Sequence, residues 1–183
     1  MSPASPLALG LALSGGRDGK SWRRSLAWAE RAESLGLHSV WLPEGHLEPG
    51  ATSSPLIALC AIAARTRRVR LATTSLLLPL HPPLRLAAET ATLDRLSGGR
   101  SLLGLGRGFR MPVFAAFGVD PATRRDRCAA ALDALLAAWA GRPEAPGKPR
   151  PGPDLQPLQR PAPPLVVAAF GRRGLLQAAR RGL

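Results

Sequence analysis

One pattern constrains this chain more than any other feature. A short apolar run is followed by a stretch of helical period, five times over in 183 residues. Leu7 to Leu13 is continuously apolar and closes on Ser14-Gly15-Gly16, the pattern of a strand buried on both faces. Ser21 can cap the helix that follows. Trp22, Leu26, Ala29 and Ala32 recur on one face of that helix, and Gly36 stands where it stops. Ser39 to Leu42 reads as a second strand. Ser54-Pro55 is an N-cap with proline at the first helical position, and the helix from Leu56 to Ala64 is apolar enough all round to expect its burial. Val69 to Leu78 reads as a third strand closed by Pro79. The next helix starts near Pro82-Pro83, carries Leu84, Ala87, Ala88 and Ala91 on one face, and stops at Ser97-Gly98-Gly99. Ser101 to Leu105 is a fourth strand, and Asp120-Pro121 opens a helix to about Trp139. Leu165 to Ala169 and Gly174 to Arg181 complete a fifth strand and helix.

Strands of buried type alternating with helices imply a parallel sheet with crossover helices. A doubly wound sheet and a (β/α)₈ barrel both satisfy the pattern. Residues 141–164 differ: nine of these 24 are proline, which reads as an extended, semi-rigid connection within a single domain over 1–183.

Charge raises the question of nucleic acid, since Lys plus Arg number 25 against 12 Asp plus Glu. Lysine appears only at Lys20 and Lys148, however, the arginines are scattered, and aromatics for base stacking are 4% of the chain. Neither a nucleic-acid nor a membrane partner is expected; the apolar runs are far too short to span a bilayer. Cys60 and Cys128 form neither a disulfide framework nor a metal-ligand spacing, and no signal peptide is visible. A reducing cytoplasm is the expected setting.

Four segments can carry chemistry. Ser14 to Ser21 lies between a strand and a helix, as a phosphate-binding P-loop does, but the pattern needs glycine where Ser14 stands; a nucleotide hydrolase is the weaker alternative to a plain turn and cap. Gly104-Leu105-Gly106-Arg107-Gly108-Phe109 departs from the dinucleotide fingerprint at Phe109, and Pro112 interrupts an immediate helix. The segment still suits close backbone approach to a ligand. Arg107 lies past the C-terminal end of its strand, where ligands bind in parallel α/β folds, and Arg100 lies at the other end. The first is therefore the functional candidate and the second the structural one. Glu44 and His46 end the second strand, pairing a carboxylate with the side chain best suited to proton transfer near neutral pH. His38 and His81 read as ordinary hydrogen-bonded residues. Thr73-Thr74-Ser75 places hydroxyls in an aliphatic strand, either facing a polar ligand or following the β-propensity of threonine.

Taken together, these segments resemble the luciferase-like monooxygenase family. The resemblance is carried by Val40-Trp41-Leu42-Pro43-Glu44-Gly45-His46, by Thr66 to Thr74 leading into Leu78-Pro79-Leu80-His81-Pro82, by Leu93-Asp94-Arg95-Leu96-Ser97-Gly98-Gly99-Arg100, by Gly104 to Gly108, by Phe117-Gly118-Val119-Asp120 and by Pro163 to Ala168. It implies a (β/α)₈ TIM-barrel fold, of which five βα units are visible here, so that the chain reads as an incomplete barrel with exposed edge strands. It implies reduced FMN, or a deazaflavin in some branches, as cofactor. It also implies a flavin reductase as electron source, a small organic substrate, and a homo- or hetero-dimer. On the same resemblance the flavin ring packs at Thr74-Ser75, where a bulge with a non-proline cis peptide is usual. Gly106 and Arg107 lie along the flavin, with Arg107 on its phosphate, and the loop Ala169 to Gly174, including Gly171, Arg172 and Arg173, holds phosphate too. His46 is the proton donor and Glu44 its orienting partner. Four positions depart from luciferase proper. Gly45 replaces the first of two histidines, which argues against light emission. Gly106 replaces a reactive cysteine, and Ala169 and Phe170 replace acidic and hydroxyl groups. The alternative within the family is a non-catalytic flavin-binding or assembly subunit.

Overall fold

The structure is a computed structural model describing residues 7–143, 147, 149–169 and 171–183. Its strands are β1 (Gly10–Ala12), β2 (Ser39–Leu42), β3 (Arg70–Thr73), β4 (Leu76–Leu77), β5 (Ser101–Gly106) and β6 (Leu165–Val167). Its α-helices are α1 (Gly19–Ser34), α2 (Pro55–Arg65), α3 (Pro83–Ser97), α4 (Met111–Ala116), α5 (Arg124–Trp139) and α6 (Arg172–Ala179). Every strand pairing is parallel. Spatial order follows chain order, with β3 and β4 forming one interrupted strand between β2 and β5. A doubly wound sheet reverses its strand order at a switch point; a barrel advances in one direction. The unreversed order therefore selects the barrel type, with five βα units among the described residues.

The core lies between sheet and helices. Val40, Leu42, Leu71, Leu103 and Leu105 meet Leu59, Ile62, Leu86, Leu93, Leu135 and Trp139, all fully or nearly fully buried. Arg100 holds the strands' N-terminal ends together: its guanidinium donates to the carbonyls of Ala63, Thr66, Val69 and Ser97 and to Thr66 Oγ1. Beside it, buried Asp94 accepts from Ser101 Oγ (2.6 Å), Gln159 N (2.9 Å) and Gln159 Nε2 (2.7 Å), pinning the proline-rich connection to α3. The described part of that connection carries one 3₁₀ turn at Pro153–Leu155; residues 144–146 and 148 lie outside the described ones.

Several expectations need correction. The first strand is three residues long and largely exposed, because among the described residues β1 has only β2 as neighbour. At the other edge, Val166 of β6 is 49% exposed. α1 is capped by Asp18, whose Oδ1 accepts from both Ser21 N and Ser21 Oγ at 2.7 Å; Ser21 is the capped residue. α2 buries one face only, leaving Ile57 73% exposed. Leu84 of α3 also faces out, the inward row being Leu86, Ala87, Thr90, Ala91 and Leu93. Pro112 sits inside α4, at a first-turn position where its missing N–H costs no helical bond.

The third strand does not run through. Ala72 faces Leu102 but Leu76 faces Leu105, so four steps on one strand match three on the other. The extra residue makes a bulge, and the Thr74-Ser75 peptide within it is cis, as the family resemblance implied. Thr73 Oγ1 fills the interrupted ladder, donating to Gly104 O at 2.9 Å and accepting from Gly104 N at 3.0 Å. This hydroxyl is structural. A Cβ at Gly104 would collide with the Thr73 carbonyl oxygen. Gly104→Ala is expected to cost about 1–3 kcal/mol through overpacking, read as a lower denaturant midpoint with unchanged slope.

Candidate functional site

The C-terminal ends of the strands converge on Glu44. Its side chain is 2% exposed, and a carboxylate there is tolerated because its lone pairs are occupied. Oε1 lies 2.7 Å from His46 Nε2, and Oε2 accepts from Leu77 N at 2.7 Å. His81 Nε2 reaches both oxygens, at 3.1 and 2.9 Å. An ionised carboxylate only accepts, so in both rings Nε2 carries the hydrogen. Burial pushes the Glu44 carboxyl upward, but the hydrogen bond and charge of His81, with the bonds from His46 and Leu77 N–H, bring it below the ordinary carboxylate value. A depressed folded-state value stabilises the fold at pH above the ordinary carboxylate range, and that contribution is lost as pH falls through the folded value. Unfolding midpoints measured across the acid range should therefore fall more steeply with acidification in the wild type than in Glu44→Gln. Equal slopes would mean that Glu44 is not held as a carboxylate.

His46 side-chain exposure is 10%. The Phe117 ring tilts against it at 4.6 Å between centroids, and Arg110, ion-paired to Glu48, donates to the His46 carbonyl. The pairing of Glu44 with His46 is thus the geometry expected from the sequence. His81, set aside there as an ordinary hydrogen-bonded residue, turns out to share the same carboxylate. It lies 37 positions from Glu44 in the chain, just after the 3₁₀ turn Leu78–Leu80, and only the packing of the β4 segment beside the end of β2 brings them together. Phe117 and Arg110 were likewise invisible as site residues, since α4 was not anticipated.

Two adjoining cavities flank this corner. One of about 360 Å³ is lined by Glu44, Thr74, Ser75, Gly106, Arg107 and Phe109. Gly106 packs closely within it: a Cβ there would collide with Ser75 Oγ. The second, about 250 Å³, is lined by Arg107, Arg125, Ala169, Gly171, Arg172 and Arg181. Arg181 is engaged by Asp133 at 2.8 Å, whereas Arg107, Arg125 and Arg172 make no ion pair among the described residues. α6 begins at this cavity after Gly171 with no side-chain cap, leaving its first N–H groups open to an anion. Arg107 and Ala168 line both cavities, so one elongated ligand can occupy the two. All the cofactor-contacting positions expected from the sequence, Thr74, Ser75, Gly106, Arg107, Ala169, Gly171 and Arg172, lie on this pair. Phe170 and the Arg173 side chain lie outside what is described. The near-P-loop, by contrast, has the Asp18 carboxylate at the helix N-terminus, where a phosphate would have to sit.

The sequence model of luciferase-like monooxygenases matches residues 7–183. The chain belongs to that family. Among solved structures, monooxygenase RslO1 from Streptomyces bottropensis superposes with a TM-score of 0.87 at 33% identity, over 96% of this chain and 58% of that one. The fold is also shared, at 22% identity and a TM-score of 0.85, with the oxygenating constituent of 3,6-diketocamphane monooxygenase from Pseudomonas putida, solved in complex with FMN; the match covers 98% of this chain and 56% of that one. The oxygenase component of a flavin-dependent trigonelline monooxygenase from Acinetobacter baylyi is 31% identical over 75% of this chain and 40% of that protein. This luciferase-like chain thus spans less than two thirds of each of these relatives. Among the described residues, no helix is long and apolar enough to cross a membrane.

Proposed function

We propose that the chain acts as the flavin-binding part of a monooxygenase that places one atom of O₂ in a small organic substrate, in a reducing cytoplasm. One observation carries this reading: an arginine-rich cavity joins, through Arg107 and Ala168, a second cavity that ends at buried Glu44, whose carboxylate holds His46. A phosphate-bearing flat ring has this two-part shape and charge, and the open α6 N-terminus fits the phosphate of FMN. Bound reduced flavin supplies the two electrons by which O₂ is divided between product and water.

The residues have separable tasks. Arg107, Arg172 and the α6 N-terminus hold the phosphate. Thr74, Ser75 and Gly106 would hold the ring. Phe117 shields His46 from water on one side. Glu44 fixes the His46 ring by its Nε2, leaving Nδ1 to take up or release a proton. A flavin reductase delivers the reduced cofactor, in keeping with the Acinetobacter relative being named an oxygenase component. Assembly as a dimer belongs to the same proposal.

The test is to supply chemically reduced FMN and ¹⁸O₂ and to follow oxygen uptake and label in product across an organic substrate panel. Incorporation of one labelled atom, falling about 10²-fold or more in His46→Ala, is the expected result. Flavin binding without incorporation would favour the non-catalytic subunit. Full activity in His46→Ala would remove that residue from the chemistry. Binding titrations with FMN and a deazaflavin in parallel, not the oxygen label, decide between the cofactors.

A further inference from the structure

His81 has a second face. While its Nε2 holds Glu44, its ring also lines two cavities outside the flavin site, of about 540 and 200 Å³. The larger lies between α2 and α3, with Ser54, Cys60, Arg85, Glu89 and Thr92 on its walls. The smaller lies against α5 and includes Arg127. Neither shares a residue with the Arg107 cavities. The His81 side chain is 24% exposed, against 10% for His46, and its Nδ1 makes no hydrogen bond among the described residues.

Two imidazoles therefore flank one buried carboxylate that itself lines the Arg107 cavity, and one of the two, His81, also lines separate outer cavities. A single added proton on this trio neutralises Glu44; a second leaves a net positive charge in a buried place, which is costly. The other charges near His81 do not supply a second counter-ion. Arg85 and Glu89 of α3 are paired with each other at 2.6 Å, Arg127 adds positive charge, and Cys60 is a thiol that burial, with Glu89 nearby, keeps protonated.

We propose that His81 is a positioning residue that competes with His46 for one proton across Glu44 and exchanges that proton with solvent through the outer cavity. His81 thereby sets the charge of His46 even when flavin and substrate fill the mouth of the site. The geometry stands without the monooxygenase reading; the purpose, presenting His46 in a defined protonation state to the chemistry, rests on it.

The experiment needs no turnover. The chain has only three histidines, His38, His46 and His81, so imidazole signals can be assigned by replacement and followed with pH by NMR. In His81→Gln, which keeps an N–H for Glu44 but cannot be charged, the midpoint at which His46 gains its proton should rise by about half a pH unit or more. The reciprocal variant, His46→Gln, should raise the His81 midpoint in the same direction and serves if the first fails to fold. Unchanged midpoints would make His81 a neutral structural donor and overturn the proposal. Exchange of the imidazole C2 protons, read by mass spectrometry with and without FMN, tests the route. FMN should slow exchange at His46 and leave His81 as it was. Slowing at both would place His81 inside the flavin site and overturn the separate route. No effect at either would speak against the flavin reading, while the midpoint shift would still decide the coupling.

Discussion

Arg107→Ala is expected to weaken FMN binding by roughly 10- to 100-fold, the loss of one charge-assisted contact worth about 1.5–3 kcal/mol. The residue follows β5 directly, lines both halves of the composite cavity and has no acidic partner among the described residues, so its charge is uncommitted. Titration of flavin fluorescence reads the effect. Riboflavin, which has the ring without the phosphate, supplies the internal control. The wild-type chain should prefer FMN, and Arg107→Ala should bring the two affinities together. Arg172→Ala should act in the same direction with smaller effect, because the residue is exposed and more strongly screened. Arg100→Ala should leave the FMN preference intact, since its guanidinium is spent on five carbonyl and hydroxyl oxygens at the far end of the strands. An Arg107→Ala variant that still distinguished FMN from riboflavin as the wild type does would place the phosphate elsewhere.

The largest effect on stability is expected at Trp139. It ends α5, is fully buried, and is the largest such side chain in the core. Its indole packs against α3, with Nε1 donating to the Ala87 carbonyl at 3.4 Å. Truncation to alanine removes that apolar surface from the α3–α5 seam and leaves a cavity that two helices fixed to the same sheet cannot close. The expected cost is about 3–5 kcal/mol. For a domain of this size that is a fall in Tm of roughly 6–20 °C. Trp28, 54% exposed on α1, is the matched control, where the same substitution should change Tm by little. Similar losses at both positions would mean that the α3–α5 seam is not the core contact described.

Much of the architecture was legible because it is written in local pattern. The apolar run at Ser39 to Leu42 gave a strand with those ends, and Pro83 and Gly98 bracket α3 as a proline start and a left-handed stop should. Arg100 and Arg107 could be separated into structural and functional candidates from their positions at opposite ends of one strand, because parallel folds gather ligands at one end only. Where local pattern failed, the cause was non-local. Leu7 to Leu13 has the composition of a buried strand, yet burial depends on a second neighbour, and β1 has one. Periodicity does not reveal a one-residue slip of register between β3–β4 and β5, since Leu76 and Leu77 continue the same apolar run. α4 was hidden by Pro112, which breaks a helix in its interior but not in its first turn.

The same division holds at the site. The sequence by itself determined the parallel βα order, the family, the Glu44–His46 pair two residues apart at a strand end, and the glycines at the end of the fourth strand. These are properties of short segments, in which spacing along the chain fixes spacing in space. The tertiary structure alone decided that His81 would meet Glu44 from a different βα unit, that Phe117 would cover His46, and that Arg107 would join two cavities into one. Those contacts depend on which side chains from distant segments face one another once sheet and helices have packed. Hydrophobic pattern fixes that a helix packs on the sheet, and only the packed register fixes what its first turn touches.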